Sequence, residues 1–262
     1  MEEAPNAFEI QKRKYFSRLA VQMRKALALH KKAELWKRKD GERDWGNVSE
    51  HCLVEVARTD VLAEKFGLSE DIRGGLKTAA ALHDFFKKGE RTITKEGGLN
   101  WDAFEKASQE STRQMHEAGF SESVVRLANS VGHGSLMETE KILQKEQFSS
   151  EDIAYLILHY VDDYTVGSEK AKPASKSPEG IELNDLDRRV TKNANNTDYG
   201  ILNEEGQVHF GGLTAFEMQR RIGHVVEERL AALLRERAGQ VVDPKGIPEL
   251  VDAEINRRIL RS

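Results

Sequence analysis

Four polar residues stand inside stretches that otherwise read as apolar helix. His51 falls in the first turn of a segment rich in Leu53, Val54, Val56, Ala57, Val61 and Leu62. His83 and Asp84 end a run of small and apolar residues, Ala79-Ala80-Ala81-Leu82. Asp162, followed by Asp163, interrupts a segment opened by Ile153-Ala154-Tyr155-Leu156-Ile157-Leu158, which is apolar on every side of a helix and so must be buried. An imidazole or a carboxylate in such surroundings is costly unless it is paired or holds a metal. Two imidazoles and two carboxylates can coordinate one divalent ion and leave positions open. Neutral imidazole with carboxylate suits Mn, Fe, Co, Ni or Zn. A lone His-Asp pair has a plainer explanation, since a basic group at a helix C-terminus complements the helix dipole. The combination of the four residues is what points to a metal.

The elements that must position them are helices. Asn47-Val48-Ser49-Glu50 reads as a capping box that opens the helix of His51, and Gly67 closes that helix. Ser69-Glu70-Asp71 starts the helix that ends at His83. Residues 88–100 read as a loop, with a turn signal at Glu96-Gly97-Gly98 and room for a short hairpin. A helix follows from about Trp101 to Ala118, and another begins at Ser121 and stops near Val131-Gly132-His133-Gly134. The helix of Asp162 runs from Ser150 to about Tyr164, with His159 one turn before the acids. The spacing leaves open whether Asp162 or Asp163 faces the other three residues. Gly167 to Gly180 is expected to be a long loop, and residues 181–212 hold at most one helix, around Leu183 to Asn193. Thr214-Ala215-Phe216-Glu217 is a second capping box. It opens a helix whose Ile222, Val226, Leu230 and Leu233 form a stripe, stopping at Gly239. A short helix from Pro248 to Leu260 ends the chain. No period-2 run competes, so the fold class is all-α.

The chain of 262 residues is long enough for one large domain with appendages. It contains no apolar run of transmembrane length and no secretory leader, and its single cysteine, Cys52, fits a reducing compartment. The expected location is therefore cytoplasmic. Net charge is −4 but unevenly spread: residues 11–39 carry eleven Lys or Arg against the single acid Glu34, so this stretch stands at +10 and the remainder near −14. Phe16, Leu19, Ala20, Met23, Leu27 and His30 recur there at helical spacing. The result is an amphipathic helix with a basic outer face: a solvated counterweight to an acidic body, or a platform for phosphates or nucleic acid. Walker, dinucleotide-binding and Gly-x-Ser-x-Gly motifs are absent from the sequence.

The order of His51, His83-Asp84 and Asp162 in these helical contexts resembles the HD-domain superfamily of metal-dependent phosphohydrolases, over roughly residues 47–166. Ala80-Ala81-Leu82-His83-Asp84-Phe85-Phe86-Lys87 is similar to that family's doublet segment, and Glu117-Ala118-Gly119-Phe120-Ser121-Glu122-Ser123-Val124-Val125 to its helix connector. The family's usual glycine two residues after the doublet is Phe86 here. The resemblance implies a helical HD core at 47–166; charge and helical spacing place a basic helix and loop at 1–46 before it and a loop with helical extension at 167–262 packed on it. It implies one transition-metal ion (Mn, Fe, Co, Ni or Zn) on His51, His83, Asp84 and Asp162, the family pattern favouring Asp162 over Asp163. Asp84, Lys87, His133 and Asp163 are the implied catalytic set, with Lys88 and Arg58 further candidates for contact with substrate.

The implied reaction is hydrolysis of a small phosphate ester, a nucleotide or a relative of one, by a monomer or homodimer without membrane attachment. The alternatives are a nuclease or nucleic-acid-binding module using the basic helix, and a protein whose metal merely staples helices. Dinuclear oxygenases of the superfamily need a further histidine near Lys106-Ala107-Ser108-Gln109, and none is there, so one metal and hydrolysis are expected.

Overall fold

Helical spacing read from the sequence is realised in most of the described residues. A computed structural model describes residues 7–39, 42–45, 47–97, 100–165, 185–195 and 201–261. In chain order the helices are α1 (Ala7–Gln22), α2 (Arg24–Lys32), α3 (Asn47–Lys65), α4 (Glu70–Leu82), α5 (Lys87–Glu96), α6 (Trp101–Glu117) and α7 (Glu122–Ala128). They continue as α8 (Leu136–Leu143), α9 (Ser150–Tyr164), α10 (Asp185–Ala194), α11 (Ile201–His209), α12 (Ala215–Ala238) and α13 (Ile247–Leu260). A two-stranded hairpin, β1 (Trp36–Lys39) with β2 (Glu42–Trp45), lies between α2 and α3. The fold is all-α. Among the described residues no helix is long and apolar enough to cross a membrane.

The core is built around α9. Every residue from Asp152 to Tyr164 is buried, with α3, α4, α7, α10 and α12 packed around it. Its start is fixed by a reciprocal capping box, in which the Ser149 hydroxyl accepts from the Asp152 amide and the Asp152 carboxylate accepts from the Ser149 amide. Antiparallel α3 and α4 are joined by a turn at Gly67, whose φ of 65° is one that a side chain would disfavour. Ala79, Ala80 and Ala81 are fully buried, and their small side chains allow the neighbouring helices to approach α4 closely. Arg58 of α3 ties the C-terminal helix to this core. It donates to both carboxylate oxygens of Asp252 at 3.1 and 3.0 Å and to the Thr165 hydroxyl at 2.8 Å, lying over the Tyr164 ring. This clamp occupies the guanidinium that the sequence had suggested for substrate contact.

The α12 stripe of Ile222, Val226, Leu230 and Leu233 is buried against α8, α9, α10 and α11 of the same chain. Leu230 is fully buried, so Leu230→Ala is expected to destabilise the fold by about 2–5 kcal/mol through lost transfer energy and a residual cavity. Urea unfolding measures this; a change below about 1 kcal/mol, well under the range for a buried leucine, would show that the stripe is dispensable.

Four local expectations are corrected. The basic amphipathic segment is two helices, broken at Met23, whose φ and ψ of −92° and 17° leave the helical region. The polar segment after it is partly the hairpin, pairing Trp36 with Trp45. Residues 87–96 form α5 rather than a loop; it buries only Thr94 and is held by packing on α6, so neither apolar spacing nor propensity announces it. Phe86, the departure from the family pattern, lies over Gly89, where an added Cβ would come within 2.3 Å of the ring. In the C-terminal part, two helices stand where one was expected, α10 and α11. The loop expected at 167–180 lies outside the described residues.

Candidate metal centre

Helix geometry alone brings His51 and Glu55 together, since residues four apart share a face of α3. His83 arrives from the C-terminal end of α4, and Asp162 from the last turn of α9. His51 Nε2 lies 2.8 Å from Glu55 Oε1 and 3.4 Å from Asp162 Oδ1. His83 Nε2 lies 3.9 Å from the same Asp162 oxygen and 3.8 Å from Asp84 Oδ2, while its Nδ1 is 3.4 Å from Glu55 Oε2. One ligand atom from each of His51, Glu55, His83 and Asp162 falls within 4.8 Å of the others. His83 Nε2 is buried, has no hydrogen-bond partner and faces two carboxylates. A buried imidazole nitrogen in that setting fits a metal ligand, and this donor set of nitrogen and oxygen suits a divalent transition ion.

The electrostatics agree with a site built for positive charge. Burial works against the charged form of His51, yet Glu55 and Asp162 push its pKa up to about 9. Burial likewise opposes the ionised form of Asp162, but the Arg189 guanidinium beside it and the two histidines hold its carboxyl well below the usual range. Asp84 is held down to about 2, against the effect of burial, by Lys87 and then by His83 and His51.

No family model, curated protein or solved structure matches this chain. The functional reading therefore stands on the geometry of its own residues.

The other residues picked out in the sequence divide into two groups. Asp84 sits at the rim, its second oxygen 3.7 Å from Lys87 Nζ, which also lies 3.2 Å from Glu90. Lys88 points away, donating to the Glu34 carbonyl at 2.7 Å. Asp163 is buried and finds its partners outside the cluster, in Gln219 and His159. It accepts from the Gln219 amide at 2.6 Å and stands 3.5 Å from His159 Nε2. Burial raises its pKa to about 6, with Asp162 adding and His159 opposing. His133 follows Gly132, which takes a φ of 76°, and sets its ring edge-on to Phe216 at 4.8 Å. Burial and then Lys87 push that imidazole down to about 4. Two residues of the neighbourhood carried no weight in the sequence, Glu55 and Arg189. Glu55 was findable from its spacing of four from His51 on an otherwise apolar stretch. Arg189, which donates to Asp162 Oδ1 at 2.8 Å, comes from the far side of a long connection and had no local signal.

One further histidine supports the centre from behind. His30 of α2 is fully buried; its Nε2 donates to the Ala81 carbonyl at 2.7 Å, and its Nδ1 accepts from the Ser49 hydroxyl at 3.0 Å. Ser49 and Ala81 each stand two residues before a histidine of the cluster, so this imidazole registers α3 against the end of α4. Burial drives its pKa down to about 4, against the pull of the Ala81 bond. Unfolded, an imidazole titrates near 6.5. Between those values the unfolded chain binds the extra proton, so the contribution of His30 to stability shrinks as pH falls from 6.5 to 4, by about 3 kcal/mol in total. His30→Gln is expected to flatten that part of the curve. Urea midpoints of both proteins across this range provide the check, and parallel curves would refute it.

Proposed function

We propose that the chain is an HD-type metal-dependent phosphohydrolase acting on a small phosphate ester of the nucleotide class. The observation that carries this reading is the buried, unpartnered Nε2 of His83, set between Asp84 and Asp162 with His51 and Glu55 adjoining. His51, His83, Asp162 and Asp84 or Glu55 would hold a divalent ion there, which when bound would supply an activated water and polarise a phosphoryl oxygen. Asp84 is the partly exposed carboxylate of the group; ionised at neutral pH, it can accept a hydrogen bond from an attacking water. Lys87 places an ammonium at the same rim, suited to a phosphoryl oxygen as a point charge. His133 stays neutral and can orient a water or a leaving group. The His159–Asp163–Gln219 group holds the last turn of α9 and, with it, the direction of Asp162.

The test is a panel of nucleotides, cyclic dinucleotides and single-stranded DNA, run with Mn, Ni, Co and Mg and with a chelator. Turnover of one or more phosphate esters that a chelator abolishes is the expected result. Metal binding with no turnover across the panel would favour a structural role for the ion. A nucleic-acid substrate is the second reading, favoured by the exposed Arg13, Lys14, Arg24 and Lys32 on α1 and α2. It requires binding that weakens steeply with added salt.

A further inference from the structure

We propose that Arg189 exchanges partners at the metal centre, holding Asp162 while the site is free of metal and turning to the phosphoryl group once a divalent ion takes that carboxylate. The inference rests on the phosphohydrolase reading and assigns to the C-terminal extension a direct part in the site. Helix α10 is anchored by Leu186 and Val190, both buried, on α9 and α12. From that anchored helix Arg189 reaches back to the end of α9. Its Nη2 donates to Asp162 Oδ1 at 2.8 Å, and its Nη1 donates to the Thr165 carbonyl. Its Nε is buried and without an acceptor.

The oxygen that Arg189 holds is the one that faces the cluster. Asp162 Oδ1 is the atom 3.4 Å from His51 Nε2 and 3.9 Å from His83 Nε2. A divalent ion on this oxygen would lie roughly 2.1 Å from it. With the guanidinium nitrogen still 2.8 Å from the same atom, two cations would stand within about 4 to 5 Å of each other in a poorly solvated place. That repulsion favours departure of the side chain that can move. A guanidinium released at the edge of a phosphoryl site has a planar fork of donors that matches two phosphoryl oxygens, and its buried Nε lacks a partner to keep it. Lys87, beside Asp84, provides a point charge, so Arg189 would add the directional contact.

The experiment measures binding rather than turnover. Mn²⁺ is titrated calorimetrically into the full chain, into Arg189→Ala and into Arg189→Gln, which keeps much of the length and a hydrogen bond to Asp162 without the charge. Inorganic phosphate is then titrated into each Mn-loaded protein. Both variants are expected to bind Mn²⁺ about tenfold or more tighter than the native chain, and phosphate about tenfold or more weaker. Should Arg189→Ala fail to fold, Arg189→Gln decides. A folded variant that binds Mn²⁺ no tighter than the native protein overturns the exchange, and so does unchanged phosphate affinity. If the native chain itself binds no Mn²⁺, the metal reading fails and this inference fails with it.

Discussion

His83→Ala is expected to abolish stoichiometric binding of a divalent ion and to lower phosphate-ester turnover by about 10³-fold or more, equivalent to roughly 4 kcal/mol of barrier. The argument begins with what the side chain lacks. His83 Nε2 is buried, and no neighbour gives it a hydrogen bond. It faces Asp84 Oδ2 at 3.8 Å and Asp162 Oδ1 at 3.9 Å, distances too long for hydrogen bonds and suitable for atoms that share an ion. Its other nitrogen is held 2.9 Å from the Ala80 carbonyl, which fixes the ring so that Nε2 points inward. Alanine keeps the backbone bond from residue 83 to the Ala79 carbonyl that closes α4, so helix content should survive. Metal analysis after exposure to Mn²⁺, together with circular dichroism, separates the two effects. A folded His83→Ala protein that retains one equivalent of tightly bound ion would remove His83 from the site.

Legibility in the sequence followed burial and capping. The helix α9 was readable because apolar residues surround it and Ser149 caps it, and α12 because Thr214 and Glu217 box its start and Gly239, at φ 62°, ends it. The same apolar background made His51, His83 and Asp162 conspicuous, and these three meet in space. The remaining elements are set by tertiary contacts that no local pattern encodes. Helix α5 buries one residue and depends on α6 for its stability. The hairpin pairs strands of four residues made mostly of charged side chains, with no alternation to reveal it. Arg189 lies 27 residues from its partner Asp162, in a weakly periodic region. His30 shares the helical spacing of Leu19, Met23 and Leu27, and it is buried with them, but only the fold reveals that Ser49 and the Ala81 carbonyl await it.

Glu55→Gln is expected to weaken divalent-ion binding by about 10- to 100-fold and to reduce turnover in parallel, with a much smaller effect on the fold. Glu55 is fully buried, and its two carboxylate oxygens sit between the imidazoles, 2.8 Å from His51 Nε2 and 3.4 Å from His83 Nδ1. Neither oxygen receives a well-formed hydrogen bond. An ionised carboxylate in that position requires a cation close by. In the metal-free protein the protonated His51 serves, its pKa pushed up to about 9 against the effect of burial, with Glu55 the leading cause. With an ion present, the carboxylate either completes the coordination or balances the charge from behind the histidines. Glutamine preserves shape and one acceptor but removes the charge, so packing and most of the folding energy are retained while the attraction for a divalent ion is lost. Calorimetric titration of Mn²⁺, set beside thermal unfolding in chelator, compares the two quantities directly. Equal Mn²⁺ affinity in the native and Glu55→Gln proteins would make Glu55 a structural partner of His51 and leave the ion to His51, His83, Asp84 and Asp162.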